Sequence, residues 1–222
     1  MAKLILILGE SGTGKTQSLK KLDPNKTLLI QSINKALTFI SASEWTQWNQ
    51  ETNPKGNVFV NDHPNTIVDL IKRTTRKIIV IDDFQYISSN EMFRRHKETQ
   101  FTKWNEMAFN GWNIIQAASN LSDDVRVYFI SHVMLSETGV VKIKTPGKLL
   151  EGDSVEGRFP IVFRTFVNGL AENKKEKYFF RTQNDGKDTV KTPEDMFLDD
   201  LIPNDLSLID KRICEYYKIT EG

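Results

Sequence analysis

The sequence predicts an α/β domain, with a mostly parallel sheet flanked by helices and a β-rich C-terminal part. Apolar strand-like runs such as "KLILILG", "RKIIVIDD" and "DVRVYFISH" alternate with helical patterns through the first part of the chain. Beyond them, "GVVKIK", "FPIVFRTFV" and "KYFFRTQ" follow one another with turns but without helices between them. No linker, repeat or low-complexity tract divides the 222 residues. We therefore expect one domain spanning residues 1–222.

The first half of the chain reads as strands and helices in alternation. "KLILILG" is a short apolar run that ends in glycine, which is typical of a buried strand, and "TQSLKKL" predicts a short helix that stops near Pro24. "KTLLIQS" predicts a second strand, "EWTQWNQET" a short helix or a loop, and "NVFVN" a weak third strand. "NTIVDLIKR" has apolar residues at helical spacing, and "RKIIVIDD" predicts the next buried strand.

The second half begins with a long helical region, and strand-like segments separated by turns then replace the alternation of strands and helices. Its best helix spans residues 101–121, where Trp104, Ala108, Trp112, Ile115 and Ala118 form one stripe. The strand "DVRVYFISH" follows, and a β-hairpin and loop extension is expected at about 133–165. An acidic segment and the helical pattern "LSLIDKRICEYYKI" occupy residues 192–222.

Composition narrows the class of protein without naming its partner. The net charge of +1 gives no argument for nucleic acid or a membrane, so any basic surface must be local. A single cysteine, Cys214, excludes an internal disulfide framework, and with only three separated histidines it argues against structural zinc. The N-terminal apolar run is too short to span a membrane and has no signal-peptide pattern. We expect a cytoplasmic protein with no membrane partner.

The octapeptide "GESGTGKT" after the first strand satisfies the pattern of a phosphate-binding P-loop. Its glycines let the backbone curl so that successive N–H groups point at phosphate oxygens, and a helix starting near Lys15 adds its positive end. Lys15 can reach the β- and γ-phosphates, and the Thr16 hydroxyl can bind Mg²⁺. The octapeptide thus predicts ATP and Mg²⁺ as cofactors. The expected phosphate-binding residues are Gly9, Glu10, Ser11, Gly12, Thr13, Gly14, Lys15 and Thr16.

Two adjacent acids at the end of "KIIVIDDF" supply the second half of such a site. Asp82 is expected to hold Mg²⁺ through water, as a Walker B acid does. Asp83 is either the base that orients and deprotonates the attacking water, or a cap for the following helix. The strand-like segments between Thr16 and Asp82 are typical of RecA-like and AAA-type ATPases rather than of most small-molecule kinases.

A polar pair ends the next strand, "VYFISH". In sheets of this kind the strand beside the Walker B strand delivers a polar residue to the γ-phosphate. Ser131 or His132 could fill this sensor role by donating a hydrogen bond that is lost on hydrolysis. The alternative is that His132 simply lies in the turn at the end of the strand.

Taken together, "GESGTGKT", "IVIDDFQYI", "NEMFRRHKE", "FISH" and "KIKTPGKLL…EGRFPIVFRT" resemble the phage-encoded, RecA-like P-loop ATPases often labelled phage ATP-binding proteins. These are related to the core-only recombination ATPases of the Sak group. The similarity covers nearly the whole chain, including "KYFFRTQNDGKDT" and "LIPNDLSLIDKRICEYY".

The resemblance implies a RecA-like fold, Mg²⁺-dependent ATP hydrolysis, self-assembly into a ring or filament, and single-stranded DNA binding or annealing in phage recombination or replication. It also implies that the protein is located in the cytoplasm of an infected or lysogenic bacterial host, and that a single-strand-binding protein is a further partner. Carried over by position in the motifs, these roles assign phosphate binding to residues 9–16, metal binding to Asp82 and the γ-phosphate sensor to His132. RecA has a catalytic Glu at the end of the strand after the P-loop helix. Here that strand ends "IQSIN", with no acid, so either Asp83 or Glu10 acts as the base or hydrolysis is slow.

DNA contacts are expected on the segment after His132, where RecA-like proteins carry their DNA-binding loops. The basic candidates share this glycine-containing segment and would track phosphates. They are Lys142, Lys144, Lys148 and Arg158. Glu151, Asp153 and Glu156 interrupt them, and Phe159 is the only aromatic residue among them, so a solvated hairpin and loop is an equal alternative.

Two further charged segments leave alternatives open. "RRHK" at 94–97 is either a solvated helix face or the source of an arginine for a neighbour's nucleotide. The stretch 192–210 carries six acids and no Lys or Arg, so it would repel DNA, or pair with a basic face internally or on a neighbouring subunit.

Three other functions compete with a DNA-dependent ATPase. One is an AAA-like motor or loader with a protein partner, and another is a nucleotide-switch assembly module with little turnover. The last is a small-molecule kinase, which usually needs an arginine-bearing lid that the sequence does not reveal.

Overall fold

The computed structural model describes residues 1–145, 155–173 and 177–220. It forms an α/β structure built around one eight-stranded sheet, with a separate two-stranded hairpin. The strands are β1 (Lys3–Leu8), β2 (Thr27–Gln31), β3 (Val58–Val60), β4 (Ile78–Asp82), β5 (Arg126–Ser131), β6 (Val133–Leu135), β7 (Val141–Ile143), β8 (Ile161–Val167), β9 (Tyr178–Arg181) and β10 (Leu201–Pro203). The α-helices are α1 (Pro64–Arg73), α2 (Gln85–Arg94), α3 (Thr102–Ser119) and α4 (Leu206–Tyr217).

The sheet is mostly parallel, as expected, with the order β3-β2-β4-β5-β1-β8-β9-β10. In this order, each pairing from β3 through β2, β4, β5 and β1 to β8 is parallel. The pairings of β8 with β9 and of β9 with β10 are antiparallel. The near-continuous apolar runs of β1, β4 and β5 are buried because the central part of such a sheet is covered on both faces. The antiparallel edge is the expected β-rich C-terminal part.

Alternation along β1 divides the core into two layers. Leu4, Leu6 and Leu8 face one layer, which is completed by apolar side chains of α1, α2 and α3. Ile5 and Ile7 face the other layer, which is completed by α4 and by short 3₁₀ helices at Thr16–Lys21 and Ile40–Glu44. The sheet therefore lies between two helical layers, and the carboxyl ends of its parallel strands form one shared edge.

Several sequence expectations need correction. The helix predicted after "GESGTGKT" is only a six-residue 3₁₀ helix, Thr16–Lys21, so it offers little helix dipole. The extension expected at 133–165 is too long, because β8 lies in the main sheet beside β1. On α3, Trp104 and Trp112 are half-buried at the edge of the predicted stripe, while its other three members are buried.

A buried ion pair attaches α4 to the sheet. Asp210 on α4 accepts hydrogen bonds from Arg126 at 3.0 and 2.8 Å, and from the Tyr128 hydroxyl at 2.6 Å. Arg126 and Asp210 are each only 3% exposed. At the start of α4, the Asp205 carboxylate caps the helix by accepting a hydrogen bond from the Ser207 backbone N–H, and it pairs with the Lys21 ammonium at 2.6 Å. Two of the six acids between 192 and 210 are thus paired internally, one of the alternatives left open by the sequence.

None of the helices in residues 1–145, 155–173 and 177–220 is both long enough and apolar enough to cross a membrane.

Candidate functional site

Three neighbouring parallel strands bring their carboxyl ends to one cleft. β5 lies between β1 and β4, and Leu8 at the end of β1 is in register with Ser131 at the end of β5. The residues that follow each strand therefore meet at the same sheet edge. The cleft has a volume of about 440 Å³. Its walls include Gly14, Lys15, Thr16, Lys35, Asp83, His132 and Tyr178.

Residues 9–16 form the glycine-rich loop of this cleft. Gly12 and Gly14 have φ of 77° and 92°, a left-handed backbone that glycine adopts without steric cost. The loop curls around the Lys15 ammonium, which donates to the carbonyl oxygens of Gly9 at 2.9 Å and Glu10 at 2.7 Å. Burial lowers the pKa of Lys15 to about 8. The loop therefore holds one buried cation beside exposed backbone of Ser11 and Gly12.

Thr165 on β8 contacts and supports the loop, a role that no sequence motif indicated. Its hydroxyl donates to Thr13 Oγ1 at 2.7 Å and lies 3.3 Å from the Leu8 carbonyl oxygen. Thr13 in turn donates to the Glu10 carbonyl at 2.7 Å. Gly9 lies so close that a Cβ there would be 1.9 Å from Thr165 Oγ1. Strand β8 thus fixes the loop's conformation by direct contact.

Thr16 and Asp82, both predicted as metal ligands, are in contact. The Thr16 hydroxyl donates to Asp82 Oδ2 at 3.1 Å, and Asp82 is fully buried. Burial raises the pKa of Asp82, Lys35 opposes that effect, and the charge of Asp83 adds to it. A hydroxyl and a carboxylate are a donor set that suits Mg²⁺, which takes few protein ligands beside substrate phosphates and water. The described residues contain no group of three or more His, Cys, Asp or Glu placed to hold a metal.

Asp83 points into the cleft and does not cap α2. Its φ of 58° is a left-handed value that Asp tolerates better than most residues. Its carboxylate accepts a hydrogen bond from Lys35 and lies 3.5 Å from His132 Nε2. The N-cap of α2 is Phe84, and no side chain caps it. The capping alternative is therefore wrong. Glu10, the other candidate base, is exposed.

Of the two sensor candidates, His132 is the one that lines the cleft. Ser131 is fully buried, and its hydroxyl donates to Gln85 Oε1 at 3.1 Å. The same oxygen accepts from the His132 backbone N–H at 3.0 Å, so Gln85 of α2 holds the end of β5. Burial and the nearby Lys15 charge lower the pKa of His132, so its imidazole is neutral at pH 7.

Lys35 is the residue of the cleft that sequence reasoning missed. Its ammonium donates to Asp83 Oδ2 and lies 3.2 Å from Asp82 Oδ2 and 3.5 Å from Thr16 Oγ1. Although burial acts in the opposite direction, these carboxylates raise the pKa of Lys35. The available signal was the position of Lys35 just after β2, the strand next to β4 in the sheet.

The structure brings three of the four predicted DNA-contacting residues near the same sheet edge. Lys142 lies in β7, and the exposed Lys144 donates its backbone N–H to the His132 carbonyl oxygen at 2.9 Å. Arg158 is exposed, with its guanidinium 5.3 Å from the centre of the Trp112 ring. Lys148 lies outside the described residues.

Two neighbours of these basic residues differ from expectation. Phe159 is fully buried and packs edge-on against Phe129 at 5.2 Å, so its ring is not available for stacking on a base. Glu156 is also buried, and its carboxylate accepts from the Ile143 backbone N–H at 2.8 Å. Glu156 therefore holds the hairpin rather than interrupting an exposed basic surface.

The basic cluster at 94–97 is paired mainly within the chain. Arg95 contacts Glu91 at 3.1 Å, Glu98 at 2.7 Å and Glu106 at 2.6 Å. Arg94 pairs with Asp62 at 2.6 Å. These ion pairs favour the solvated helix face over an arginine supplied to a neighbour's nucleotide.

The chain matches no protein-family model, and a comparison with curated proteins finds no significant match. The functional proposal therefore stands on the geometry of the cleft and on the sequence motifs.

Proposed function

We propose that this protein is a P-loop ATPase that binds ATP with Mg²⁺ and hydrolyses it. One observation carries the proposal: the glycine-rich loop ends at Thr16, whose hydroxyl contacts the buried Asp82 carboxylate at 3.1 Å. A glycine-rich loop that ends in a lysine and a threonine, with the threonine in contact with an acid on the next-but-one strand, suits a nucleoside triphosphate bound with a metal.

Each side chain of the cleft has a task in this proposal. Lys15 leaves the Gly9 and Glu10 carbonyls and pairs with the β- and γ-phosphates, for which its ammonium has the right charge. Thr16 and Asp82 hold Mg²⁺, directly and through water respectively. When bound, the metal neutralises charge that develops on the phosphate oxygens. Loop N–H groups orient the remaining phosphate oxygens.

Asp83 and His132 are assigned to the attacking water and the γ-phosphate. The Asp83 carboxylate faces the cleft and can accept the water's proton, whereas the exposed Glu10 is less suited to this role. The neutral His132 imidazole can donate one hydrogen bond to the γ-phosphate, and that bond is lost when the phosphate leaves. The 3.5 Å separation of their side chains allows both to act on one reacting group.

The decisive experiment measures ATP binding and turnover per site. Lys15→Ala is expected to abolish useful binding or turnover because the cation facing the phosphates is lost. Lys20→Ala, an exposed lysine on the adjoining 3₁₀ helix, is the matched control and should behave as the wild-type protein does. Near wild-type hydrolysis by Lys15→Ala would contradict the assignment of this cleft as the site of ATP binding and hydrolysis.

We further propose, from the resemblance to RecA-like phage ATPases, that single-stranded DNA is the partner and that ATP drives recombination or annealing. The hairpin β6–β7 supports this, because it begins directly after His132 and Lys144 returns to the His132 carbonyl. A DNA strand bound at this hairpin would be linked to the γ-phosphate through His132. Trp112, rather than Phe159, is the aromatic ring beside the basic residues.

A salt titration of oligonucleotide binding tests this partner. Changing Lys142, Lys144, Lys148 and Arg158 together to Ala should weaken binding and flatten its salt dependence. Each lost phosphate contact removes about 0.7 from the log–log slope for single strands. An unchanged slope would show that DNA binds elsewhere. No binding by the parent protein at low salt would favour an AAA-like motor or loader with a protein partner. Sedimentation with ATP and DNA tests assembly into a ring or filament.

A second candidate function is a nucleotide switch with little turnover, and one contact favours it. Lys35 donates to the Asp83 carboxylate, so an attacking water would have to compete with the Lys35 ammonium for that carboxylate. Slow hydrolysis with tight, Mg²⁺-dependent nucleotide binding would identify this switch, whereas many turnovers per site would identify the ATPase.

A further inference from the structure

Lys35 contacts the same two side chains to which the proposed function assigns Mg²⁺. Its ammonium lies 3.2 Å from Asp82 Oδ2 and 3.5 Å from Thr16 Oγ1, and it donates to the neighbouring Asp83. A magnesium ion would bind its oxygen ligands at about 2.1 Å. A metal bound to Thr16 and held by Asp82 through water would lie close to the Lys35 ammonium, and two such neighbouring cations would repel each other strongly in a partly buried site.

The two acids explain why a cation lies here. Asp82 and Asp83 are adjacent in the chain, and both are almost completely buried. Buried carboxylates are costly unless a charge of opposite sign pairs with them. Lys35 supplies that charge from the loop after β2, where its carbonyl oxygen accepts a hydrogen bond from Gln31 Nε2 at 3.3 Å. The backbone is thus held by β2 while the long side chain reaches the acids.

The side chain of Lys35 also has room to leave. It lines the cleft and is 32% exposed, whereas the carboxylates that it contacts are only 1% and 5% exposed. Its four-carbon stem is flexible. An ammonium released from the acids would remain in the cleft that Lys35 lines.

We propose that Lys35 is an internal counter-ion that occupies the metal position in the nucleotide-free protein and is displaced when a divalent cation binds. The charge on the acids is then neutralised at every stage, first by Lys35 and then by the metal. The free site consequently discriminates against a metal that arrives without a phosphate partner for the displaced lysine. The nucleotide part of this inference rests on the proposed function, but the competition between Lys35 and the metal does not.

The first test uses Mn²⁺ as the probe, with no nucleotide present. Lys35→Gln keeps a polar side chain and removes the charge, so we expect it to bind Mn²⁺ at least about tenfold more tightly than the wild-type protein, measured by electron paramagnetic resonance. Lys72→Gln, an exposed lysine on α1, is the matched control and should not change the affinity. Unchanged or weaker Mn²⁺ binding by Lys35→Gln overturns the proposal.

A second measurement uses the unmodified protein, so it does not depend on the folding of a variant. Amine acylation followed by mass spectrometry reports how free Lys35 is. Its labelling should rise severalfold when Mn²⁺ saturates the nucleotide-free protein, while labelling of Lys72 stays constant. Constant labelling of Lys35 contradicts displacement. Absence of ATP binding by the wild-type protein would instead reject the proposed function and leave the Mn²⁺ result to decide the role of Lys35.

Discussion

Gly9→Ala tests whether β8 shapes the glycine-rich loop. The φ of Gly9 is not in the left-handed region, so alanine is compatible with its backbone. Its new methyl group would nevertheless lie 1.9 Å from Thr165 Oγ1, 2.8 Å from Thr13 Oγ1 and 3.1 Å from Thr165 Cβ. Carbon and oxygen atoms in contact normally stay about 3.5 Å apart, so loop and strand must separate by about 1.5 Å.

The cost follows from the contacts that separate. Overpacking costs about 1–3 kcal/mol, and the hydrogen bond that the Thr165 hydroxyl donates to Thr13 contributes about 0.5–1.5 kcal/mol. We therefore expect Gly9→Ala to lower the free energy of unfolding by about 1.5–4.5 kcal/mol. Because a misplacement of this size disturbs the N–H groups of the loop, we also expect about a hundredfold loss of ATP affinity.

Urea unfolding and fluorescent-nucleotide titration measure the two effects. Gly111→Ala makes the same chemical change in α3, where the new methyl would meet only Ser88 Oγ at 3.8 Å. It should stabilise the protein by up to about 1 kcal/mol, because alanine favours a helix interior over glycine. In the double variant with Thr165→Ala, the methyl no longer meets the Thr165 hydroxyl, its nearest contact, and part of the loss should return. Wild-type stability and affinity of Gly9→Ala, or no recovery in the double variant, would refute the role given to Thr165.

Three further predictions concern charged groups. Asp210→Ala should lower the free energy of unfolding by about 3–5 kcal/mol in urea, because it removes the buried carboxylate that pairs with the buried Arg126 guanidinium; a loss below about 1 kcal/mol would contradict this. Asp83→Asn should slow hydrolysis by about 10²-fold or more while nucleotide binding persists, whereas Asp82→Asn should weaken the Mg²⁺-dependent part of binding; identical behaviour of the two variants would contradict the assigned division. Since the pKa of Lys15 is lowered to about 8, ATP must bind with proton uptake above that pH, and affinity should fall by about fivefold from pH 8 to pH 9; a flat profile would contradict it.

The sequence predicted what depends on residues close together in the chain. Apolar runs identified the buried strands, because a strand covered on both faces of a sheet needs apolar residues throughout. The spacing of Gly9, Gly14, Lys15 and Thr16 identified the loop, and Asp82 was found because it directly follows such a run. The short helix expected at "TQSLKKL" is present as a 3₁₀ helix, Thr16–Lys21, a type that helical spacing over so few residues does not distinguish from an α-helix.

Only the tertiary structure decided which distant residues complete the site. Thr165 reaches the loop because β8 pairs with β1, and Lys35 reaches the acids because β2 pairs with β4. Neither pairing has a local signature, since the order of parallel strands is set by long-range packing of helices and sheet. For the same reason Asp210, one acid among six in its segment, could not be recognised as the buried partner of Arg126. Short-range spacing thus determined the glycine-rich loop and Asp82. Strand order determined that Thr165 supports the loop and that Lys35 pairs with the acids.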